Sequence, residues 1–207
     1  MASVVIHMAV AKEVNKKLNR HITSFMLGSI APDIAKVVGE EKEKSHFVTT
    51  EKDIPNLDLF LNKYRLYMNN DFVLGYYVHL YTDYLWWKYF MPEIKDKNVI
   101  QKLDGTKVKC NGDSFILYVY NDYTNLNIDL INKYDIDLEW LFYGLDSTDN
   151  IIREIDFSKL NILIDKTISI IENTKKNKEY VFKGDQIDTF INFSTKLIVS
   201  KINEILS

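Results

Sequence analysis

Gly75, His79 and Asp83, each four residues from the next, carry the strongest chemical signal in the chain. On an α-helix the positions i, i+4 and i+8 stack along one face with neighbouring Cβ atoms about 5–6 Å apart, so an imidazole and a carboxylate there can chelate one ion. Gly75 removes a side chain from the same face and lets a neighbouring backbone or a ligand approach. Taken alone, His79 and Asp83 read equally well as a histidine hydrogen-bonded to an aspartate inside a core. The metal reading gains from further groups of the same type. All four histidines lie within the first 79 residues, and His7, Asp33 and His46 fall where they can converge on the pair. Three imidazoles and two carboxylates form a borderline-hard donor set, suited to zinc and tolerable to iron or manganese. His21, next to Arg20 and without a partner at ligand spacing, reads as a surface residue.

Helices are needed to position these groups. Val4, Val5, Met8, Ala11, Val14 and Leu18 recur mostly three and four residues apart, which predicts an amphipathic helix over 3–18 that carries His7. Thr23 or Ser24 can cap a second, short helix that Pro32 ends or bends, leaving Asp33 at a terminus or turn. Residues 39–56 are charged and irregular and read as loop, with His46 between Ser45 and Phe47. Helical spacing returns through Leu57, Phe60, Leu61, Tyr64 and Tyr67. A helix apolar nearly all round then runs over 72–90 and carries His79 and Asp83 into the middle of a bundle. Residues 91–113 form one irregular insertion, in which Asp104 and Gly105 turn a small hairpin. Helical patterns cover 114–134, 138–145, 148–173 and 185–206. The expected fold is all-α, a single multi-helix bundle domain over residues 1–207.

The candidate ligands sit in longer stretches that occur in a definite order: His7, then Leu27-Gly28-Ser29-Ile30-Ala31-Pro32-Asp33, then Ser45-His46-Phe47, then Leu74-Gly75-Tyr76-Tyr77-Val78-His79-Leu80-Tyr81-Thr82-Asp83. This succession resembles the motifs of the bacterial zinc-dependent phospholipase C family. The resemblance spans about residues 4–90, and beyond them Tyr118-Val119-Tyr120-Asn121-Asp122 is similar to the smaller family members. It implies a helical bundle of the zinc-dependent phospholipase C type, related to the single-strand-specific fungal nucleases. In such proteins zinc activates a water that attacks a phosphodiester phosphorus. Carried across one residue at a time, it implies that Asp33, His46, His79 and Asp83 surround one metal. Asp83 would bridge to a second metal that His7 also binds, and Asp33 is alternatively the general base.

The chain departs from that pattern in two places. The secreted relatives build a further zinc site from two histidines and a glutamate, whereas no histidine follows His79 here. That site is therefore expected to be absent or rebuilt from carboxylates, with Asp122 the best candidate ahead of Asp129 and Asp113. The relatives also ligate metal through an N-terminal amine exposed by processing, whereas His7 follows Met1 by only six residues.

The expected function is metal-dependent phosphoester hydrolysis, phospholipase C-like, with one or two zinc ions and a small phosphoester or phospholipid headgroup as substrate. The alternative is a non-catalytic helical binding protein that keeps a structural or vestigial metal site. The two differ in coordination, because a catalytic ion keeps a water-occupied position open and a structural ion is closed by four protein ligands. An HD-domain phosphohydrolase needs an adjacent His-Asp pair, but His46 is followed by Phe47 and His79 by Leu80.

Composition removes other classes. A net charge of −3 leaves no basic excess to neutralise a nucleic-acid duplex. Seven glycines and three prolines, against about 25 expected for the two together, argue against turn-rich β folds and supply no phosphate loop. Cys110 is the single cysteine, so no intrachain disulfide forms, and no histidine near it in sequence activates the thiol. Even the apolar stretch 72–90 contains His79, Asp83 and Lys88, so no transmembrane segment is expected. No basic segment precedes the apolar residues around His7, which predicts a cytoplasmic protein without a signal peptide. The aromatic residues from Tyr76 to Phe90 read as core, with Trp86 or Trp87 as a candidate wall of the site.

Overall fold

Ser3 starts the first helix, its hydroxyl accepting the Ile6 N–H at 3.2 Å and so satisfying one of the free donors of the first turn. In the computed structural model, which describes residues 1–49 and 54–207, this helix is α1 (Val4–Leu18), and it ends at Asn19 in the left-handed conformation. Helix α2 (Ile22–Gly28) begins after His21, not at the caps expected from Thr23 or Ser24. The reason is tertiary. Asp71 accepts the His21 N–H at 3.3 Å and pairs with Arg20 at 2.6 Å, while Ser24 turns to Ser147 at 3.1 Å.

A 3₁₀ turn (Ala31–Asp33) containing Pro32 leads into α3 (Ile34–Val38), and Gly39 closes that helix with φ +74°. Within the expected loop, α4 (Lys42–Ser45) forms a single turn, and part of the loop, 50–53, lies outside the described residues. Helix α5 (Leu57–Tyr64) precedes the central α6 (Asp71–Leu85), where Asn70 accepts the Val73 N–H at 3.1 Å. The helix expected over 72–90 is not uniform, since it widens into a π-helical turn at Trp86–Phe90 before α7 (Met91–Ile94).

The insertion is ordered sheet, a correction to the irregular stretch expected there. Strands β1 (Lys95–Asp96), β2 (Val99–Gln101) and β3 (Lys107–Lys109) pair antiparallel in that order, with Ile100 opposite both Lys95 and Val108. The turn at Asp104 and Gly105 is present, with Gly105 at φ +81°. The chain continues through α8 (Gly112–Phe115), a second π-helical turn (Ile116–Tyr120), α9 (Asn121–Tyr134), α10 (Glu139–Asp146), α11 (Leu160–Glu172) and α12 (Gly184–Leu206). The fold is thus mostly helical with one small antiparallel sheet.

Residues 148–173 were expected to be helical throughout, and only α11 is. Ahead of it Ile152 and Ile155 are buried without helical structure, and the Glu154 carboxylate takes the Tyr64 hydroxyl at 2.5 Å together with Lys63. Side-chain anchors on α5 therefore hold this segment in place of local backbone bonds. Asp156 then accepts the Ser158 N–H at 3.1 Å and opens the turn before α11.

Buried side chains from Ala2 to Ile202 form one continuous core, with α6 packed on α2, α1 on α12 and α2 on α10. Trp86 lies within it among Phe90, Tyr123 and Phe190, and Trp87 stacks on Phe115. Among the described residues no helix is long and apolar enough to cross a membrane.

The tightest approach is between α2 and α6. A Cβ at Gly75 would stand 2.1 Å from the Phe25 carbonyl oxygen, and one at Gly28 2.2 Å from that of Phe72. Both atoms belong to backbone, so a methyl group there forces the helices apart. Gly75→Ala is expected to lower stability by at least about 1–3 kcal/mol. Gly112→Ala, where a Cβ meets nothing within 4 Å, should stay within about 0.5 kcal/mol. Urea midpoints of the two variants provide the comparison.

Candidate metal centre

Five predicted ligands meet at one place in the core. His7 comes from α1, Asp33 from the 3₁₀ turn, His46 from the residue after α4, and His79 and Asp83 from one face of α6. His7, His79 and Asp83 form one group whose ligand atoms lie within 4.8 Å of one another, and Asp33, His46 and His79 form another. His79 is common to both.

Inside this cluster His7 Nε2 is 3.2 Å from Asp83 Oδ1, and His46 Nε2 is 3.5 Å from Asp33 Oδ1. The Nε2 atoms of His46 and His79 are 3.3 Å apart, and each stands 3.8 Å from Asp83 Oδ2. A tetrahedral zinc with bonds of about 2.0–2.1 Å separates its ligand atoms by about 3.3 Å, so the shortest of these spacings suit such an ion.

The positions of the rings follow from local sequence. His79 Nδ1 lies 2.8 Å from the Ser29 carbonyl, an approach that the glycine contact between α2 and α6 permits. His46 Nδ1 lies 3.2 Å from the Lys42 carbonyl and 2.9 Å from the Ser45 hydroxyl. A carbonyl only accepts, so both Nδ1 atoms carry the proton and both Nε2 atoms turn a lone pair toward the cluster. The His7 ring stacks on His79 with centroids 3.7 Å apart and planes within 9°.

The loop bearing His46 is held to α6 by the Tyr76 hydroxyl, which donates to the Ser45 carbonyl at 2.5 Å. Phe47 follows with φ +55°, a conformation that costs a non-glycine residue about 1–2 kcal/mol. Its ring is held by edge contacts with Phe60 and Tyr76.

His7, His46, His79 and Asp83 are closed off from solvent, and the Asp33 side chain is 13% exposed. Within this closed space His7 Nδ1 and Nε2, Asp33 Oδ1 and Asp83 Oδ2 have no hydrogen-bond partner. Unpaired polar atoms in a core are expensive, and several gathered at one point fit a shared cation.

Charge states agree with this fit. Burial, reinforced by His7, holds the His79 imidazole down to about 3, so it stays neutral and able to ligate. Burial pushes the Asp33 carboxyl up, but the adjacent His46 ring and the other histidines around it outweigh burial and bring the group to about 2. Asp83 is also raised by burial and is pulled far below the carboxylate range by His7 and the N-terminal amine. Its Oδ1 accepts the Ala2 N–H at 2.9 Å, which joins the start of the chain to the site.

Asp122, the expected replacement for the missing downstream ligands, stands elsewhere. Its buried carboxylate accepts the backbone N–H groups of Tyr180, Val181 and Phe182 at 2.7–3.1 Å, so its oxygens clasp the segment before α12. Asp129 pairs with Lys176 at 2.8 Å, and Asp113 is exposed at the start of α8. His21 is an exposed residue, as expected.

Sequence spacing did not reveal Ser29, Ser45 or Ala2 as partners of the ligands. Ser29 and Ser45 stand within the quoted stretches, but two of these three act through backbone atoms, which leave no side-chain signature. A cavity of about 460 Å³ opens beside Asp33, and Trp86 and Trp87 are not among its walls.

The chain matches no protein-family model, no curated protein and no solved structure.

The buried imidazole sets an acid limit on the metal-free protein. In the unfolded chain His79 takes a proton near 6.5, whereas in the fold it does so near 3. Between these values the unfolded state binds the extra proton, so stability is full above about 6.5 and falls as pH drops toward 3. Asp33 adds a further loss from 3.8 down to about 2. Urea unfolding of chelator-treated protein from pH 7.5 to pH ~4 is expected to show this decline, with a shallower slope in His79→Gln.

Proposed function

We propose that the chain is a metal-dependent phosphoester hydrolase of the zinc-dependent phospholipase C kind, with zinc as the favoured ion. The supporting observation is the 3.3 Å approach of the His46 and His79 Nε2 atoms, both with Nδ1 committed to carbonyl oxygens. Two lone pairs this close in a core repel, a cation between them relieves that repulsion, and protonating His79 is opposed by its burial.

His46, His79, Asp83 and Asp33 would hold one ion, with His7 and Asp83 available to a second. A divalent ion bound there supplies a water of lowered pKa and offsets charge on phosphoryl oxygens. The chain's own residues do the rest. The backbone carbonyls of Ser29 and Lys42 hold the two imidazoles in their ligating tautomer, and the closed core excludes bulk water from four of the five side chains. Asp33 faces both the cluster and the cavity, and as the alternative to ligating the ion its charged carboxylate is the group placed to accept a proton from water during attack on a phosphoester.

The second reading is a non-catalytic protein with a structural ion. It draws support from the burial of four candidate ligands, because a closed site with four protein donors leaves no position for substrate.

Elemental analysis of protein purified without a chelating tag separates the readings. One to two equivalents of zinc, iron or manganese are expected in the wild type. His79→Gln and Asp83→Asn should lose that metal while keeping their helical circular dichroism. Hydrolysis of phosphoesters that falls with the metal content supports the hydrolase, whereas tightly held metal without turnover supports the structural ion. A folded wild type that neither contains nor takes up metal would end both.

A further inference from the structure

The cavity beside Asp33 lies between the start of α1 and helices α3, α9 and α11, and its volume of about 460 Å³ falls within the range of small-molecule sites. The groove lined by Tyr89 and Phe193, and the hollow beside Lys63 and Glu154, contain none of the clustered ligands. Val4, Val37, Leu163 and Ile170 give the Asp33 cavity its apolar walls.

The charges on the walls are unbalanced. Asp33 is the single acidic residue there, and its carboxylate already faces His46. Lys36 and Lys166 are the two cationic side chains, and the N-terminal amine of Met1, on the same wall, acts on Asp83. Lys36 is engaged, donating to the Tyr120 hydroxyl at 2.9 Å and lying over that ring at 4.8 Å. Lys166 is exposed on α11 and forms no hydrogen bond or ion pair among the described residues. A free cation beside an apolar cavity, with the only acid turned toward the buried cluster, favours an anionic ligand with a compact apolar part.

We propose that this cavity is the subsite for the organic group of the substrate, a compact, partly apolar phosphoester with a second negative charge that Lys166 meets. The phosphoryl group then lies at the Asp33 end, and burial of the organic group against Leu163 and Ile170 supplies affinity. This rests on the hydrolase reading, and binding measurements separate the two.

Zinc-loaded full-length protein is titrated calorimetrically with inorganic phosphate, phenylphosphonate and 4-carboxyphenylphosphonate, none of which has a phosphoester bond to cleave. In the wild type phenylphosphonate should bind at least about tenfold more tightly than phosphate. The carboxylate should add about two- to fivefold. Ile170→Trp, which fills the cavity from its partly exposed edge, should abolish the first gain, and Lys166→Met the second. Both variants should bind phosphate as the wild type does, which also shows that they fold and carry metal. Phenylphosphonate binding no tighter than phosphate, or a gain that survives Ile170→Trp, overturns the subsite and leaves the hydrolase reading standing. A carboxylate gain that survives Lys166→Met overturns the role of that residue. Failure of phosphate to bind the zinc-loaded wild type overturns the hydrolase reading, and the subsite with it.

Discussion

Backbone contact between α2 and α6 at Gly28 and Gly75 is the constraint on which the site depends. With no Cβ at either position the two helices come close enough for the Ser29 carbonyl to reach His79 Nδ1 at 2.8 Å. That bond sets the tautomer and the ring orientation, and so the direction of the Nε2 lone pair. A side chain at either glycine would wedge the helices apart and draw His79 away from its acceptor. Helix packing and ligand chemistry are here one geometric requirement.

Burial determines the electrostatics. Three imidazoles and two carboxylates share a space closed to water apart from one edge of Asp33. Burial keeps His79 neutral, while neighbouring charges keep Asp33 and Asp83 ionised. Two ionised carboxylates lie close together in a medium that screens them poorly, so a divalent cation relieves what would otherwise destabilise the core. Asp33 connects this interior to the cavity, and through it chemistry in the core can act on a molecule arriving from solvent.

The C-terminal half supplies support. Helix α12 packs along α1, which carries His7, and α9 and α11 form two sides of the cavity. Asp122 ties the segment at 180–182 to α9 through three consecutive backbone N–H groups, and Phe182 from that segment packs against Trp86. A carboxylate that spacing and chemistry recommended as a ligand thus fastens the scaffold. The two uses look alike in sequence because both call for a buried anion with several donors around it.

His7, Asp33, His46, His79 and Asp83 were legible as one donor set because ligand chemistry restricts residue type, and helical periodicity placed two of them on one face. The periodicity of apolar residues likewise determined α1, α6, α9 and α12 to within a few residues, apart from the π-helical turns at Trp86–Phe90 and Ile116–Tyr120. The cap of α2 and the extended path before α11 were decided by partners distant in the chain, Asp71 and Tyr64. Only the tertiary structure could show which carboxylate joins the cluster and which clasps backbone, and where a cavity opens. Sequence records what each side chain can do, whereas burial and the atoms it meets depend on segments that come together only on folding.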